Sequence, residues 1–179
     1  LSVSSSAEVP ALVEYWGRGG RRTDIRPLLE SIAGAGADGS VDIVHLLPAF
    51  VRERLYRYPL LTAEDLDRPL LANCLWTALN FFRGRPDDRY LDPQAAVEAL
   101  QRDYYLVDSR FELGDIAVML DESGNLFHAV VYLADNLVFT KHGTSPMAPW
   151  VILPLYTVFD YYRLRSERPR LLHHRRKDR

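Results

Sequence analysis

The sequence predicts an α+β fold, with helices first and an antiparallel sheet after them. Two patterns carry this. Apolar residues recur at helical spacing, between helix start and stop residues, as far as Asp103. From Asp115 onward the chain changes to strand-like runs separated by short turns. Helices followed by consecutive strands, rather than the two alternating, give an α+β arrangement built on a meander. The 179 residues suit one domain with a small appendage. A hydrophobic content of 47% against 26% charged excludes a disordered chain. The one cysteine excludes an intramolecular disulfide and multi-cysteine metal centres, so the fold rests on its core.

Residues 8–16 and 24–33 read as short helices, the second with Asp24 as N-cap and Pro27 in its first turn. GAGADGS at 34–40 is a flexible break. Residues 41–58 read as a helix, a break at Pro48 and a second helix to about Tyr56. Asn73 caps a helix from Cys74 to Arg83, stopped by Gly84 and Pro86. Leu75, Trp76, Ala78, Leu79, Phe81 and Phe82 cover most of its circumference, so it is expected to be buried. Asp92-Pro93 opens a helix through Asp103. Residues 115–120, 126–134 and 137–142 read as strands, and 151–163 as one or two more.

Charge is unevenly spread. Residues 163–179 hold eight Arg/Lys against Glu167 and Asp178, a net +6, which leaves −8 on residues 1–162. This reads as a mobile basic tail that solubilises the chain, with weak contact to an anionic surface as the sharper alternative. It lacks the interleaved aromatics of a nucleic-acid arm. No run approaches the roughly 18–20 apolar residues of a membrane span. The chain opens on Leu1 rather than Met, which suggests a trimmed or processed start; the polar LSVSSSAE suits the end of a removed signal peptide.

The chemistry centres on Cys74. At a helix start, unpaired N–H groups and the macrodipole favour a thiolate. His128 interrupts the apolar strand LFHAVVYLA, sharing a face with Leu126, Val130 and Tyr132. A thiol, an imidazole and a group orienting that imidazole make a nucleophilic site. Cys74, His128 and His142 also have the ligand types of a zinc site, but no close-spaced ligand pair supports one. The GRGG at 17–20 has neither the following Lys-Ser/Thr nor the preceding strand of a phosphate loop.

Three features together resemble the NlpC-type bacterial cell-wall cysteine peptidases: Cys74 opening a buried helix, Leu113-Gly114-Asp115 leading the strand IAVML, and His128-Ala-Val-Val-Tyr132 followed by a turn and a third strand. The resemblance covers about residues 55–162. It implies a papain-like catalytic domain there, an N-terminal helical region (1–54) packed on it, and the basic tail at 163–179. It further implies amide hydrolysis without a cofactor, a cell-wall peptide or other amide as substrate, and a periplasmic or extracellular location. Cys74 becomes the nucleophile, His128 the base, and an upstream tyrosine, Tyr58 or its competitor Tyr56, a substrate contact. Cys74 preceding His128 is the non-permuted order, against the acyltransferase-like relatives. The family's Asp-Cys-Ser-Gly is here Asn73-Cys74-Leu75-Trp76, which unsettles the substrate preference and keeps a binding-only member of the fold as a rival.

The third residue depends on strand parity. A two-residue turn at Asp135-Asn136 sets His128 opposite Gly143, with Lys141 on its side of the sheet. A three-residue turn sets it opposite His142, and one more shift of that parity selects Thr140. Lysine cannot accept from an imidazole N–H, and a second histidine is usual in the family, so His142 is the expected third member with Thr140 behind it. Asn73, Thr140 and Lys141 are expected to line the substrate groove, Lys141 meeting a substrate carboxylate.

Overall fold

In a computed structural model, residues 1–35, 39–67, 70–108 and 110–177 are described. Much of the expected break at 34–40 lies outside them, as do Arg68, Pro69, Ser109, Asp178 and Arg179. The architecture is α+β: helices lie with a six-stranded sheet whose paired neighbours are all antiparallel.

The N-terminal half supplies α1 (Val9–Trp16), α2 (Arg22–Gly34), α3 (Ala49–Leu55), α4 (Ala63–Asp67), α5 (Cys74–Leu79) and α6 (Pro93–Asp103). The helix expected before Pro48 is a single 3-10 turn, Ile43–Leu46, capped by Asp42. α6 matches the expected helix, with Asp92 accepting the Gln94 N–H at its start. α5 stops four residues early. Asn80 ends it: its amide donates to Trp76 O (3.0 Å) and its Oδ1 accepts the Asp87 N–H (2.7 Å), tying the helix end to the next loop.

The sheet comprises β1 (Tyr104–Val107), β2 (Ile116–Leu120), β3 (Leu126–Ala134), β4 (Leu137–Lys141), β5 (Trp150–Pro154) and β6 (Arg170–Arg176), in the order β1-β6-β2-β3-β4-β5. β6 corrects the reading of a mobile tail. Arg170–Arg176 is an inner strand, paired with β1 on one side and β2 on the other. Backbone ladder bonds are indifferent to side-chain charge, and local partners deal with the charges. Arg175 makes two hydrogen bonds to the fully buried carboxylate of Asp115 (2.9 and 2.7 Å) and an ion pair with Glu112 (3.0 Å). The His173 ring stacks on Phe111 at 3.5 Å. The second strand expected in 151–163 is instead helix α7 (Leu155–Tyr162), which begins as the chain leaves Pro154.

The sheet separates two apolar layers. Ile116, Val118, Ala129, Val131 and Phe139 face the main core, which α1, α2, α3, α5 and α6 share. Ala117, Met119, Val130 and Val138 face the other way, onto Val158 of α7. The N-terminal helices are therefore built into the same core as the sheet, and the Tyr15 hydroxyl donates to Leu133 O (2.7 Å) across that junction. No helix among the described residues is long and apolar enough to cross a membrane.

Candidate active site

The hairpin between β3 and β4 combines the two turn registers weighed above. Ala134 pairs with Leu137 across Asp135-Asn136, and a bulge at Leu133 then shifts the pairing to Tyr132↔Val138 and Val131↔Phe139. Asp135 takes φ 51°, a left-handed conformation that Asp tolerates in tight turns. Extending the shifted register puts Val130 opposite Thr140 and His128 opposite His142. Thr140 and His142 therefore share the His128 face, and Lys141 points to the α5 face.

His128 is fully buried. Its Nε2 lies 3.0 Å from Thr140 Oγ1, and that same hydroxyl donates to Ala129 O at 3.0 Å. A threonine hydroxyl has one hydrogen. With that hydrogen given to Ala129, Oγ1 accepts from His128, so Nε2 carries the ring proton and Nδ1 is a bare acceptor. Nδ1 is buried and has no hydrogen-bond partner. Thr140 thus does the orienting that was expected of His142. His142 lies beyond the end of β4, its ring parallel to His128 with centroids 5.4 Å apart and its Nδ1 3.3 Å from the Tyr162 hydroxyl. The Tyr162 ring closes over His128 at 4.3 Å. Reading 151–163 as strand hid this residue, although Leu155, Val158, Phe159 and Tyr162 recur at helical spacing.

Cys74 opens α5 and is half-buried. Burial pushes its thiol up from the ordinary range, while the N–H groups of Ala129, Leu75 and Cys74 itself and the charge of Lys141 pull it down. The Ala129 N–H contact holds the sulfur on the α5 face of β3, whereas the neighbouring His128, paired with Met119, faces α7, and no hydrogen bond joins its Nδ1 to the sulfur. Burial, with His142 nearby, holds the His128 imidazole down at about 3. The resting pair is accordingly a neutral thiol and a neutral imidazole, not the thiolate expected at a helix start; desolvation of both groups outweighs the N–H donors.

The remaining expected residues separate. Asn73 is a cap: its Oδ1 accepts the Trp76 N–H at 2.9 Å. Asn73→Ala should cost about 1 kcal/mol in a denaturant titration and Asn73→Asp should restore most of it, because the role is to satisfy an orphan donor. Tyr58 (81% exposed) and Tyr56 (76% exposed) project from the surface, and Tyr58 lines a cavity of about 300 Å³ together with Trp76, Lys141 and Trp150. Lys141 is 1% exposed, and burial brings its ammonium down to about 8. Residues around this cavity that the sequence did not flag are Arg54, stacked on Phe50 at 3.7 Å, and Trp150, whose Nε1 donates to Thr77 Oγ1 at 3.0 Å. Among the described residues, no group of three or more His, Cys, Asp or Glu side chains is placed to hold a metal ion.

The buried histidines make stability pH-dependent. His128 is held at about 3 and His173 at about 4, mainly by burial, against roughly 6.5 for a free imidazole. Between those values the unfolded chain binds more protons than the folded one, so stability falls as pH drops from 6.5 toward 4. The unfolding temperature should be lower at pH 5 than at pH 7, and His173→Gln should flatten that slope. An unfolding temperature unchanged across this window would contradict the burial of both rings.

Comparison of the chain with protein-family models, with curated proteins and with solved structures finds no match.

Proposed function

We propose that the protein is a cysteine amide hydrolase of papain-like architecture, with cell-wall peptides as the substrate class. The observation that carries this reading is Cys74 at the start of α5 touching the N–H of Ala129 on β3, next to His128, whose Nδ1 is left bare on the α7 face in the tautomer Thr140 holds. His173 and His174 of β6 also leave Nδ1 buried without a partner; His128 alone of the three lies next to the residue that touches the Cys74 sulfur. A bare nitrogen there is what a base awaiting a proton requires.

The chemistry follows from the neutral pair. On this reading the His128 ring must swing toward the sulfur, to which its Nδ1 makes no hydrogen bond at rest, and as Cys74 Sγ attacks the amide carbonyl its proton passes to that Nδ1, so thiolate forms only in the transition state. The N–H groups around the sulfur offer donors to the developing oxyanion. His128 then gives the proton to the leaving amine. Water, deprotonated by the same Nδ1, hydrolyses the thioester, and the proton returns to the sulfur. Thr140 holds the ring at rest, and Tyr162 packs against it. Thr140 is uncharged, so it orients the imidazolium without neutralising it, which fits a weak base. Peptides of this kind lie outside the cytoplasmic membrane, which is the location the reading implies.

A binding-only member of the fold is the second reading, favoured by the raised Cys74 thiol and the altered Asn73-Cys74-Leu75-Trp76 surroundings. Incubation with purified peptidoglycan peptides, followed by mass spectrometry of the products, separates the two. Hydrolase action yields a new amine and a new carboxylate at one amide bond. Intact peptides retained on the protein point to binding alone.

A further inference from the structure

Cys74 and Lys141 meet on one face of the sheet. Lys141 ends β4 on the same side as Phe139, and α5 packs on β3 and β4 from that side. Side-chain contacts set helix against strand. Lys141 pairs with Trp150 across β4 and β5, and its Nζ lies 5.2 Å from the centre of the Trp150 ring. The Trp150 Nε1 donates to Thr77 Oγ1 (3.0 Å), and Thr77 stands one turn along α5 from Cys74, on the same side of the helix. The ammonium is thereby brought to the end of α5 that carries the sulfur, near enough for each charge to act on the other.

Lys141 is 1% exposed, and no carboxylate pairs with it among the described residues. Nζ donates to Ser145 O (2.5 Å) and Gly143 O (3.3 Å), which uses two of the three donors of an ammonium. A buried cation held only by carbonyl dipoles and an indole face is costly. The charged and titratable groups around it supply no anion. Arg54 of α3 lies over Trp76 and Trp150 (5.0 and 5.8 Å) and pairs with Glu53 (3.6 Å). Asp88 accepts from Trp76 Nε1 (3.2 Å). His142 and Tyr162 approach from the end of β4 and from α7, and burial keeps both neutral. His128 faces away, toward α7. Among the described residues, the group left to become negative beside Nζ is the Cys74 thiol.

We propose that Lys141 is the charge partner of the Cys74 thiolate: as the thiol proton leaves for His128, the negative charge left on sulfur is met by an ammonium already in place. The task is then divided between the two faces of the sheet. His128, from the α7 face, has only to take a proton. The cation that steadies the thiolate stands on the face of the sulfur itself. Lys141 keeps its own protons through the step, and its charge balances that of sulfur until the carbon–sulfur bond forms. Its part in catalysis rests on the hydrolase reading; the thiolate–ammonium pair itself does not.

The test uses the single cysteine as reporter. Alkylation of Cys74 by uncharged iodoacetamide is followed by intact mass across a pH series. Lys141→Met should raise the pH of the half-maximal rate by about one unit or more, a roughly tenfold slower reaction at a fixed pH below it, as expected for loss of an adjacent opposite charge. Arg57→Gln removes an exposed cation from the same cavity wall and should leave that midpoint in place. The reciprocal measurement leaves Lys141 untouched. The chain holds two lysines, Lys141 and Lys177, so carbon-13 labelling of lysine resolves the Lys141 titration by NMR. Burial brings this ammonium down to about 8 against the opposing pull of Cys74, so in Cys74→Ala it should titrate at still lower pH. An unshifted alkylation midpoint in folded Lys141→Met, an equal shift in Arg57→Gln, or an unchanged Lys141 titration in Cys74→Ala overturns the pair, even when amide turnover is intact. If Lys141→Met misfolds by circular dichroism, the lysine titration decides alone. Both shifts without any amide turnover uphold the pair and remove only the hydrolase reading.

Discussion

His128→Gln is expected to lower amide turnover by about 10²–10⁴-fold, the range for loss of a positioned general base. Cys74→Ala is expected to abolish it, with the fold retained in both variants. The more informative comparison is between the two side chains that competed for the third position. Thr140→Val removes the acceptor of the Nε2 proton and leaves that N–H buried without a partner, so the ring loses its tautomer and its orientation. His142→Ala removes a stacked neighbour and a 3.3 Å contact to Tyr162. The valine variant should therefore be the slower of the two, with the loss in kcat rather than KM. If His142→Ala is the slower, the orienting role passes back to His142.

Asp115→Ala is expected to be the most destabilising single change outside the main core. Asp115 is fully buried and holds Arg175 of β6 through two hydrogen bonds. Its loss leaves the guanidinium, only 15% exposed at its side chain, with Glu112 and the Arg110 carbonyl. Removing one partner of a buried pair costs about 3–5 kcal/mol, read as a lower urea midpoint. Asp115→Ala combined with Arg175→Leu should recover part of the loss, because the stranded charge goes with the arginine. An additive double variant would show that the pair does not hold β6 in the sheet. Gly114 belongs to the same device: at φ 86° it donates to Tyr132 O (2.9 Å), and this turn aims Asp115 at β6. The Leu113-Gly114-Asp115 motif thus joins strands, a role its sequence does not reveal.

What could be read in advance follows from where the physics is local. The caps Asp92 and Asn73 and the apolar spacing of α1, α2 and α6 mark helices within a few residues, and β2 to β4 alternate between tight turns. β6 was hidden because RLLHHRR carries its polarity to partners far away in sequence, Asp115 and Phe111. α7 was hidden because aromatic and β-branched residues favour strands, and only the layer beneath the sheet lets them form a helix face. Cys74 and His128 stand out in the sequence because a capped thiol and a histidine inside an apolar strand are conspicuous; that they face opposite sides of the sheet is not legible there. The choice of Thr140 over His142 was not, since a bulge at Leu133 and the direction of one hydroxyl proton decide it.

The most direct measurement is the intact mass of the chain, acid-quenched during turnover of peptidoglycan peptides. The account predicts a transient acyl adduct on Cys74 that decays as product accumulates, and none in Cys74→Ala. Product formed by Cys74→Ala at the wild-type rate, or wild-type protein that yields neither adduct nor product from any of these peptides, would contradict it.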